Sequence, residues 1–281
     1  MIFKGWLFRF DQKSLDEVSI DEKISSIDQF VISLPIGVYT TFRTIQNVKI
    51  FQLKYHLDRL VESINLAGHS FPYSINDIRQ PLFFAIGRFP VPELRIRLFI
   101  PFDEGSHCYI MLEELIVPNI DAYTRGVKVN TNHLSRDNPK AKLTSFIKES
   151  EKIKLFCKES GLEESLILNS KNEILEGLSS NFFTVMDEII YTADKEVLSG
   201  VTRRIILDEA KIAGIPVLFE PISFSQIEKV DEAFISSTSR GVLPVNSIDN
   251  ILIGDGKPGK ITKFLSNKLN DRMNIEAETI I

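Results

Sequence analysis

Two short apolar runs flank a polar stretch near the middle of the chain, and this arrangement constrains the fold more than any other feature. The runs are Leu-Ile-Leu at 166–168 and Phe-Phe-Thr-Val at 182–185. Short apolar runs bounded by polar turn residues are typical of buried strands, so we predict two strands joined through a hairpin. The stretch between them carries Glu176 beside Gly177. Because a buried carboxylate is costly without a partner, this position predicts a bound ligand.

The composition is that of an ordinary globular protein. The 281 residues, 43% hydrophobic and 25% charged, are enough for one large domain or two smaller ones. The net charge of −5 gives no basic footprint, so nucleic acid is not the expected partner. We expect a soluble, cytoplasmic protein and no membrane partner, because the N-terminus has no signal-peptide apolar region and no apolar run could cross a bilayer.

The cysteines and histidines do not predict a metal site. Cys108 and Cys157 form no Cys-x-x-Cys pair, and the four histidines show no i, i+4 pairing. We therefore expect neither a metal nor a disulfide framework, and a reducing compartment.

Strand and helix patterns are interspersed along the chain, which predicts an α+β protein of two domains with mixed sheets. Strands are predicted at 2–9, 36–52, 94–101, 107–112, 127–130, 216–219, 233–236 and 243–248, with a hairpin across 103–105. Helices are predicted at 54–68, 74–88, 144–159, 203–214 and 260–272, with a short helix capped by Ser223. The polar segment 118–123 predicts a linker. We therefore divide the chain into a smaller N-terminal α/β domain (1–120) and a larger C-terminal domain (121–281).

Three hydroxyl-rich turns each follow an apolar strand. They are Ser-Ser-Asn at 179–181, Gly-Val-Thr at 200–202 and Ser-Thr-Ser at 237–239. The second directly precedes a helix, and a helix N-terminus is a ready site for an anion. Taken singly, each turn is better explained as an N-cap or an ordinary turn. Three such turns, each after an apolar strand, are more than chance would give, and a phosphate-binding cup remains an alternative to the N-cap and turn explanations.

A literal Gly-x-Gly-x-x-Gly occurs at 254–259, and we interpret it as a surface turn. A dinucleotide fingerprint needs a second strand and an acid beyond its helix, whereas only a helix and a short tail remain here. Pro258 also removes an N–H group that a pyrophosphate would use.

Two cations have neighbours that suit a binding site. Lys142 lies between Ala141 and Leu143 at the start of a predicted helix. A lysine forms a Schiff base only when desolvation or a nearby positive charge lowers its pKa. Arg59 lies close to the buried face of its helix, where a guanidinium could reach a phosphate. From these residues alone, a solvated lysine and a snorkelling or salt-bridged arginine remain alternatives.

In chain order, the motifs of the second half resemble those of the fold-type IV enzymes that use pyridoxal 5′-phosphate (PLP). The motifs are Glu176-Gly177-x-Ser179-Ser180-Asn181-Phe182-Phe183, Leu198-x-Gly200-Val201-Thr202-Arg203, Asp231-Glu232-Ala233-Phe234, and Ser237-Thr238 with Pro244-Val245 behind. This family comprises branched-chain and D-amino-acid aminotransferases and aminodeoxychorismate lyase. The similarity extends from about Gly37 to the terminal helix.

The resemblance implies a role for each matching residue. Lys142, with Lys140 as a weak competitor, matches the lysine that carries the cofactor as an aldimine and moves the substrate Cα proton. Glu176 matches the acid that keeps the pyridine nitrogen protonated. The phosphate cup is matched by Arg59, Ser179, Val201, Thr202 and Thr238. Tyr39 matches a tyrosine of the substrate pocket. Leu178 and Thr40 stand where the family usually has a small residue and a glutamate. The resemblance also implies a homodimer and a cofactor-binding C-terminal domain.

Three functions remain open on the sequence. The first is a PLP-dependent aminotransferase that passes the amino group of an apolar, branched-chain-like amino acid to a 2-oxo acid. Here Arg97 could receive a carboxylate or lie on a solvated strand face. The second is aminodeoxychorismate lyase, which releases pyruvate to give 4-aminobenzoate, and Arg240 is placed to hold its extra carboxylate. The third is a non-catalytic binding protein on the same scaffold, which the presence of both Lys142 and Glu176 disfavours.

Overall fold

The computed structural model describes residues 3–89, 91–103 and 106–280. The helices in this part of the chain are α1 (Ile27–Ile32), α2 (Leu53–Leu66), α3 (Arg79–Gly87), α4 (Ile120–Arg125), α5 (Ser145–Glu159), α6 (Val201–Ile212) and α7 (Lys260–Glu276). The strands are β1 (Phe3–Arg9), β2 (Ser14–Glu17), β3 (Gly37–Ile45), β4 (Lys49–Ile50), β5 (Leu94–Pro101), β6 (His107–Glu114), β7 (Val127–Asn132), β8 (Glu164–Leu168), β9 (Glu173–Gly177), β10 (Asn181–Met186), β11 (Ile189–Tyr191), β12 (Val217–Leu218), β13 (Ile222–Ser223), β14 (Glu232–Ser237), β15 (Gly241–Ile248), β16 (Ile251–Leu252) and β17 (Glu278–Thr279). Two short 3₁₀ helices, Ile75–Ile78 and Phe224–Lys229, complete the set.

These elements form two compact units. The first comprises Met1–Ile116, Lys140–Glu149 and Met273–Ile281, and the second comprises Val117–Pro139 and Ser150–Arg272. The division expected at residues 120 and 121 differs from these units, since two later segments return to the first unit.

Main-chain hydrogen bonds explain the first return. The Tyr39 N–H donates to the Lys142 carbonyl (3.0 Å) and the Thr144 N–H donates to the Gly37 carbonyl (2.9 Å), so the segment before α5 lies along β3. The second return is made by β17, which pairs with β4. Neither pairing has a local sequence signal, because both join segments more than a hundred residues apart.

A seven-stranded antiparallel sheet organises the first unit, in the order β17-β4-β3-β5-β6-β1-β2. Helix α2 lies against β3 and buries Leu57, Leu60 and Ile64 as its apolar periodicity predicts. Burial of each such side chain contributes roughly 1.5–3 kcal/mol. The chain turns away after α2 at Gly68, whose φ of 80° suits glycine at a helix end.

A ten-stranded mixed sheet organises the second unit, in the order β12-β11-β10-β14-β15-β7-β8-β9-β13, with β16 on β15. An additional pairing of β9 with β10, Glu176 opposite Asn181, closes a ring of six strands. The single hairpin predicted between 166–168 and 182–185 is therefore wrong. The apolar pair Ile174 and Leu175 forms a further buried strand, β9, between the two predicted ones.

Several local predictions are corrected by the structure. The predicted linker 118–123 contains α4, whose N-cap Asn119 accepts a hydrogen bond from the Ala122 N–H (3.0 Å). The helix predicted at 74–88 begins as a 3₁₀ turn before α3. Of the predicted hairpin turn 103–105, residues 104 and 105 lie outside the described residues, as does residue 2 of the predicted first strand.

The interpretation of 254–259 as a turn is confirmed. Gly254 and Gly256 have φ values of 52° and 75°, and the segment connects β16 to α7 without a following parallel strand in the described chain.

The described residues contain neither a membrane-spanning helix nor a cluster of metal ligands. No helix there has both the length and the apolarity needed to span a membrane. No group of three or more His, Cys, Asp or Glu side chains there could hold a metal ion.

Candidate active site

Lys142 is held in the first unit by its own main chain. Its carbonyl accepts from the Tyr39 N–H, and its N–H donates to Ser63 Oγ on α2 (3.2 Å). Its Nζ lies 4.8 Å from the centroid of the Tyr39 ring, within cation–π range. The structure thus brings together the predicted Schiff-base lysine and the predicted substrate-pocket tyrosine.

Arg59 is a buried cation on the sheet-facing side of α2. Its Nη2 donates to Thr40 Oγ1 on β3 (3.0 Å), and its Nε has no hydrogen-bond partner among the described residues. Burial lowers the pKa of Arg59 to about 10, so the guanidinium remains a cation at neutral pH. A buried cation bonded to a neutral hydroxyl is suited to receiving an anion.

His56 lies one helical turn before Arg59 and is fully buried. Its Nδ1 is 3.1 Å from Thr40 Oγ1. Burial, followed by the charges of Arg59 and Lys142, holds the pKa of His56 well below its ordinary value, so the ring is neutral. Neither His56 nor Thr40 was assigned a role from the sequence. The polar spacing 56, 59 and 63 on one face of a helix is a sequence signal for His56, whereas Thr40 on β3 has no such signal.

Arg97 is buried on β5, with 3% of its surface exposed, so the solvated strand face considered as an alternative is wrong. It forms an ion pair with Asp28, and its Cζ lies 4.7 Å from the Tyr39 ring centroid. Burial opposes its charge, but Asp28 and Tyr39 outweigh burial and raise the pKa of Arg97. Its predicted contact with a substrate carboxylate stays a prediction.

Glu176 lies at the end of β9 with 3% of its surface exposed. Its Oε1 is 2.9 Å from Arg136 Nη1, and its Oε2 accepts from Asn181 Nδ2 (3.2 Å) and the Leu198 N–H (3.1 Å). The ion pair at Oε1 and the two hydrogen bonds at Oε2 stabilise the buried carboxylate as an anion and fix its orientation. Arg136 was not predicted from the sequence, because it falls in an aperiodic loop with nothing to distinguish it from a surface arginine.

The N-terminus of α6 forms a cup in the second unit. Gly200 is its N-cap, and no side chain caps the first turn. A Cβ at position 200 would lie 2.1 Å from Asn181 Oδ1, so only glycine allows this close approach. Thr202 Oγ1, at the start of α6, lies 3.4 Å from Thr238 Oγ1, which follows β14. Two of the three predicted hydroxyl-rich turns therefore meet at a helix N-terminus, where the first-turn N–H groups favour an anion.

The third turn contributes hydrogen bonds to a partly buried ion-pair cluster around Glu164. Ser179 Oγ donates to Glu164 Oε1 (2.5 Å), and Ser180 Oγ donates to the other oxygen of the same carboxylate. Arg240 binds Glu163 and Glu164, each at 3.0 Å, and also donates to Ser179 Oγ (3.0 Å). The hydroxyl of Ser179 thus already has partners, and its predicted phosphate contact stays a prediction.

Arg240 is charge-compensated. Burial opposes its charge, but Glu164 and Glu163 outweigh burial and raise the pKa of Arg240. Although burial alone would raise the pKa of Glu164, the Arg240 charge and the serine hydroxyls lower it. The lyase alternative needed a free positive charge at Arg240, and two carboxylates neutralise that charge here.

Each unit contributes groups typical of one class of enzyme: the first has a lysine beside a tyrosine and a buried arginine, and the second has a buried carboxylate and an uncapped helix N-terminus. The family model described as amino-transferase class IV matches residues 37–248. The chain belongs to the class IV aminotransferases and is a PLP-dependent transaminase. The family expected from the motifs is confirmed.

Similar proteins support this assignment along nearly the whole chain. A putative branched-chain-amino-acid aminotransferase of Methanocaldococcus jannaschii is 26% identical over 269 residues, which cover 90% of this chain and 93% of that protein. The D-alanine aminotransferase of Listeria monocytogenes is 28% identical over 248 residues, covering 82% and 84%. The branched-chain aminotransferase of Thermoproteus uzoniensis, crystallised with norvaline, has a TM-score of 0.78 at 20% identity and covers 99% of this chain and 99% of that one. The predicted fold class is confirmed.

The residues present fit PLP. In the first unit, Arg59 keeps a buried N–H group without a partner among the described residues, which suits a phosphate oxygen. In the second unit, the first turn of α6 has no side-chain cap, so its N–H groups suit an anion. Glu176 offers an oriented carboxylate to a protonated ring nitrogen. Leu178, which stands where the family usually has a small residue, is buried and leaves these contacts intact.

Proposed function

We propose that this transaminase takes the amino group of a branched-chain L-amino acid and passes it to a 2-oxo acid. The observation that carries this specificity is the apolar cluster against which Tyr39 packs, which includes Phe30, Phe99 and Met111. Packing of an apolar substrate side chain against such a surface favours binding by roughly 25 cal/mol per Å² of apolar area removed from water. The branched-chain enzymes among the similar proteins agree with this choice.

The proton chemistry belongs to Lys142. When bound, PLP supplies an electron sink that stabilises the carbanion left by loss of the substrate Cα proton. Lys142 Nζ is the group that accepts this proton and returns it. Its main chain is fixed from both sides, by Tyr39 N–H on β3 and Ser63 Oγ on α2, so the amine moves only by side-chain rotation.

Glu176 holds the proton on the pyridine nitrogen. An anionic carboxylate is needed for this, and Arg136, Asn181 and the Leu198 N–H stabilise the anion. Lysine and glutamate thus have different tasks: one moves a proton and the other keeps a proton in place.

The family resemblance assigns the cofactor phosphate to Arg59, Ser179, Val201, Thr202 and Thr238, and we keep these five residues as its proposed ligands. In the first unit, Arg59 offers its charge. In the second unit, Val201 and Thr202 offer first-turn N–H groups of α6, and Thr202 and Thr238 offer hydroxyls. Ser179 offers a hydroxyl that is also hydrogen-bonded to Glu164.

The substrate proposal is tested by a panel of amino acids added to the PLP-loaded protein. We expect L-leucine to bleach the visible cofactor band and to yield 4-methyl-2-oxopentanoate, identified by mass. D-alanine should leave the band unchanged. A band that responds to D-alanine and not to L-leucine contradicts the proposed specificity, and release of pyruvate from aminodeoxychorismate contradicts the proposed reaction.

We also propose a homodimer, on the basis of the family resemblance. Light scattering on the eluted protein should give twice the chain mass of 32.0 kDa. A mass of one chain at micromolar concentration contradicts it.

A cytoplasmic location is our proposal for the compartment. Cys108 and Cys157 are both free and buried, and burial raises the pKa of the Cys108 thiol to about 12, so it is an unreactive thiol. Fractionation of the native host tests this, and recovery in the membrane or extracellular fraction contradicts it.

A further inference from the structure

Three polar residues interrupt the buried face of α2. His56, Arg59 and Ser63 lie on the same side as Leu60 and face the sheet. On β3 a fourth polar residue, Thr40, is fully buried, next in sequence to Tyr39. Buried polar groups in an apolar core are costly unless hydrogen bonds satisfy them, so their arrangement needs a physical reason.

The direction of one of these two hydrogen bonds is fixed. Thr40 Oγ1 lies 3.0 Å from Arg59 Nη2 and 3.1 Å from His56 Nδ1. A guanidinium can only donate, so Thr40 Oγ1 accepts from Arg59. The tautomer of His56 decides the other bond: Thr40 donates to Nδ1 when the imidazole proton is on Nε2, and accepts through its second lone pair when that proton is on Nδ1.

The three side chains form a hydrogen-bonded chain, in which Arg59 donates to Thr40 and Thr40 is bonded to His56. Burial, followed by the charges of Arg59 and Lys142, lowers the pKa of His56 and keeps its ring neutral. The imidazole therefore supports Thr40 without adding a charge beside the guanidinium.

The hydrogen-bonded chain of His56, Thr40 and Arg59 orients the guanidinium without cancelling its charge. A carboxylate partner, such as Asp28 provides for Arg97, neutralises a guanidinium. A threonine hydroxyl supported by a neutral imidazole adds no negative charge. The Nε of Arg59, without a partner among the described residues, keeps its donor available.

We propose that Thr40 and His56 are positioning residues that hold the Arg59 guanidinium, with no carboxylate bonded to it, for the phosphate of the cofactor. This inference rests on the proposed role of Arg59 as a phosphate ligand. The group recognised is a phosphate monoester dianion, and the two residues act on it only through Arg59.

The test compares two cofactor forms that differ only in the phosphate. Full-length protein freed of cofactor is titrated with PLP and with pyridoxal, and the visible band gives an apparent dissociation constant for each. A residue that acts through the phosphate changes the ratio of the two constants. A residue that merely stabilises the fold changes both constants together and leaves the ratio unchanged.

Thr40→Val removes the hydroxyl at nearly constant volume. We expect the dissociation constant of PLP to rise about tenfold, the size of a lost hydrogen bond to a charged group, and that of pyridoxal to change less than about twofold. Thr40→Ser, which restores a hydroxyl, should return the ratio to the wild-type value. Thr44→Val is the matched control. It makes the same change on the same strand at an equally buried site, where Thr44 Oγ1 accepts from the Leu94 N–H (2.8 Å), and should leave the ratio unchanged.

His56→Leu is a second variant, which tests the positioning role of the hydrogen bond between Thr40 and His56 if Thr40→Val does not fold. Without the imidazole, the Thr40 hydroxyl is free to rotate, and we expect the PLP constant to rise about threefold with the pyridoxal constant unchanged.

The outcomes separate this inference from the proposed function. A wild-type ratio in folded Thr40→Val, or in folded His56→Leu, overturns the positioning role while leaving PLP binding intact. Wild-type protein that gains a band with neither cofactor form overturns the proposed function and this inference together.

Discussion

Arg59, Arg97 and Arg240 differ in the side chains that balance their charge. Arg97 and Arg240 are matched by carboxylates, whereas Arg59 is bonded to a neutral hydroxyl. Each of these arginines can be selected from the sequence as a candidate ligand. Their charge balance cannot be predicted, because Asp28 lies 69 residues from Arg97 and Glu164 lies 76 from Arg240.

The depressed pKa of His56 predicts a pH-dependent stability. Near pH 6.5 and below, the unfolded chain binds a proton at this histidine and the folded chain does not, so the free energy of unfolding falls as pH falls. We expect a contribution of up to about 1.4 kcal/mol per pH unit below about pH 6.5, and none above. Urea denaturation from neutral pH down to about pH 5 measures this slope.

Two variants test whether His56 causes this pH dependence of the free energy of unfolding. His56→Leu should remove it, whereas His69→Gln, at an exposed histidine of the same unit, should retain it. If both variants keep the wild-type slope, another group is responsible.

Removing only Arg136 from its ion pair with Glu176 should lower the free energy of unfolding more than replacing both residues. Arg136→Met leaves a buried carboxylate without its cation, and we expect a loss of roughly 3 kcal/mol in the free energy of unfolding. Adding Glu176→Gln to this variant removes the stranded charge and should recover most of the loss, although PLP affinity stays low. A double variant no more stable than Arg136→Met contradicts the pairing.

At the scale of elements, the bounds of long periodic helices and strands can be predicted from the sequence, whereas those of short ones cannot. The apolar spacing of α2 and the alternation of β5 and β6 place these elements within a few residues of their observed bounds. The six-residue helices α1 and α4, and the short edge strands β2 and β17, have too few residues for a period to show. Packing and long-range pairing define them instead.

The start of α6 gives a prediction at this scale. Gly200→Ala would drive a Cβ into Asn181, whose amide also holds Glu176, so the N-terminus of α6 or the Asn181 side chain must shift. We expect a loss of about 1–3 kcal/mol in stability and weaker PLP binding. Gly87→Ala is the control: no atom lies within 4 Å of its added Cβ, and it should be neutral within about 0.5 kcal/mol. Equal effects of the two substitutions contradict the close approach.

At the scale of the whole molecule, two features of the chain are beyond local sequence patterns. One is the return of 140–149 to the first unit, which places the Lys142 main chain on β3. The other is the closure of the strand ring by β9 and β10, which brings Asn181 opposite Glu176. The motifs could identify the residues and the family, because these depend on residue type and order. They could not supply Arg136, Thr40 or His56, whose roles arise only from three-dimensional neighbours.

The central claim, that Lys142 carries the cofactor, is tested most directly by trapping the bond. Borohydride reduces the imine between PLP and a lysine to a stable secondary amine, and mass spectrometry of the peptides locates the modified residue. We predict a phosphopyridoxyl group on Lys142, with no modification in Lys142→Ala. A modification on Lys140, or unmodified peptides throughout the PLP-loaded protein, contradicts the account.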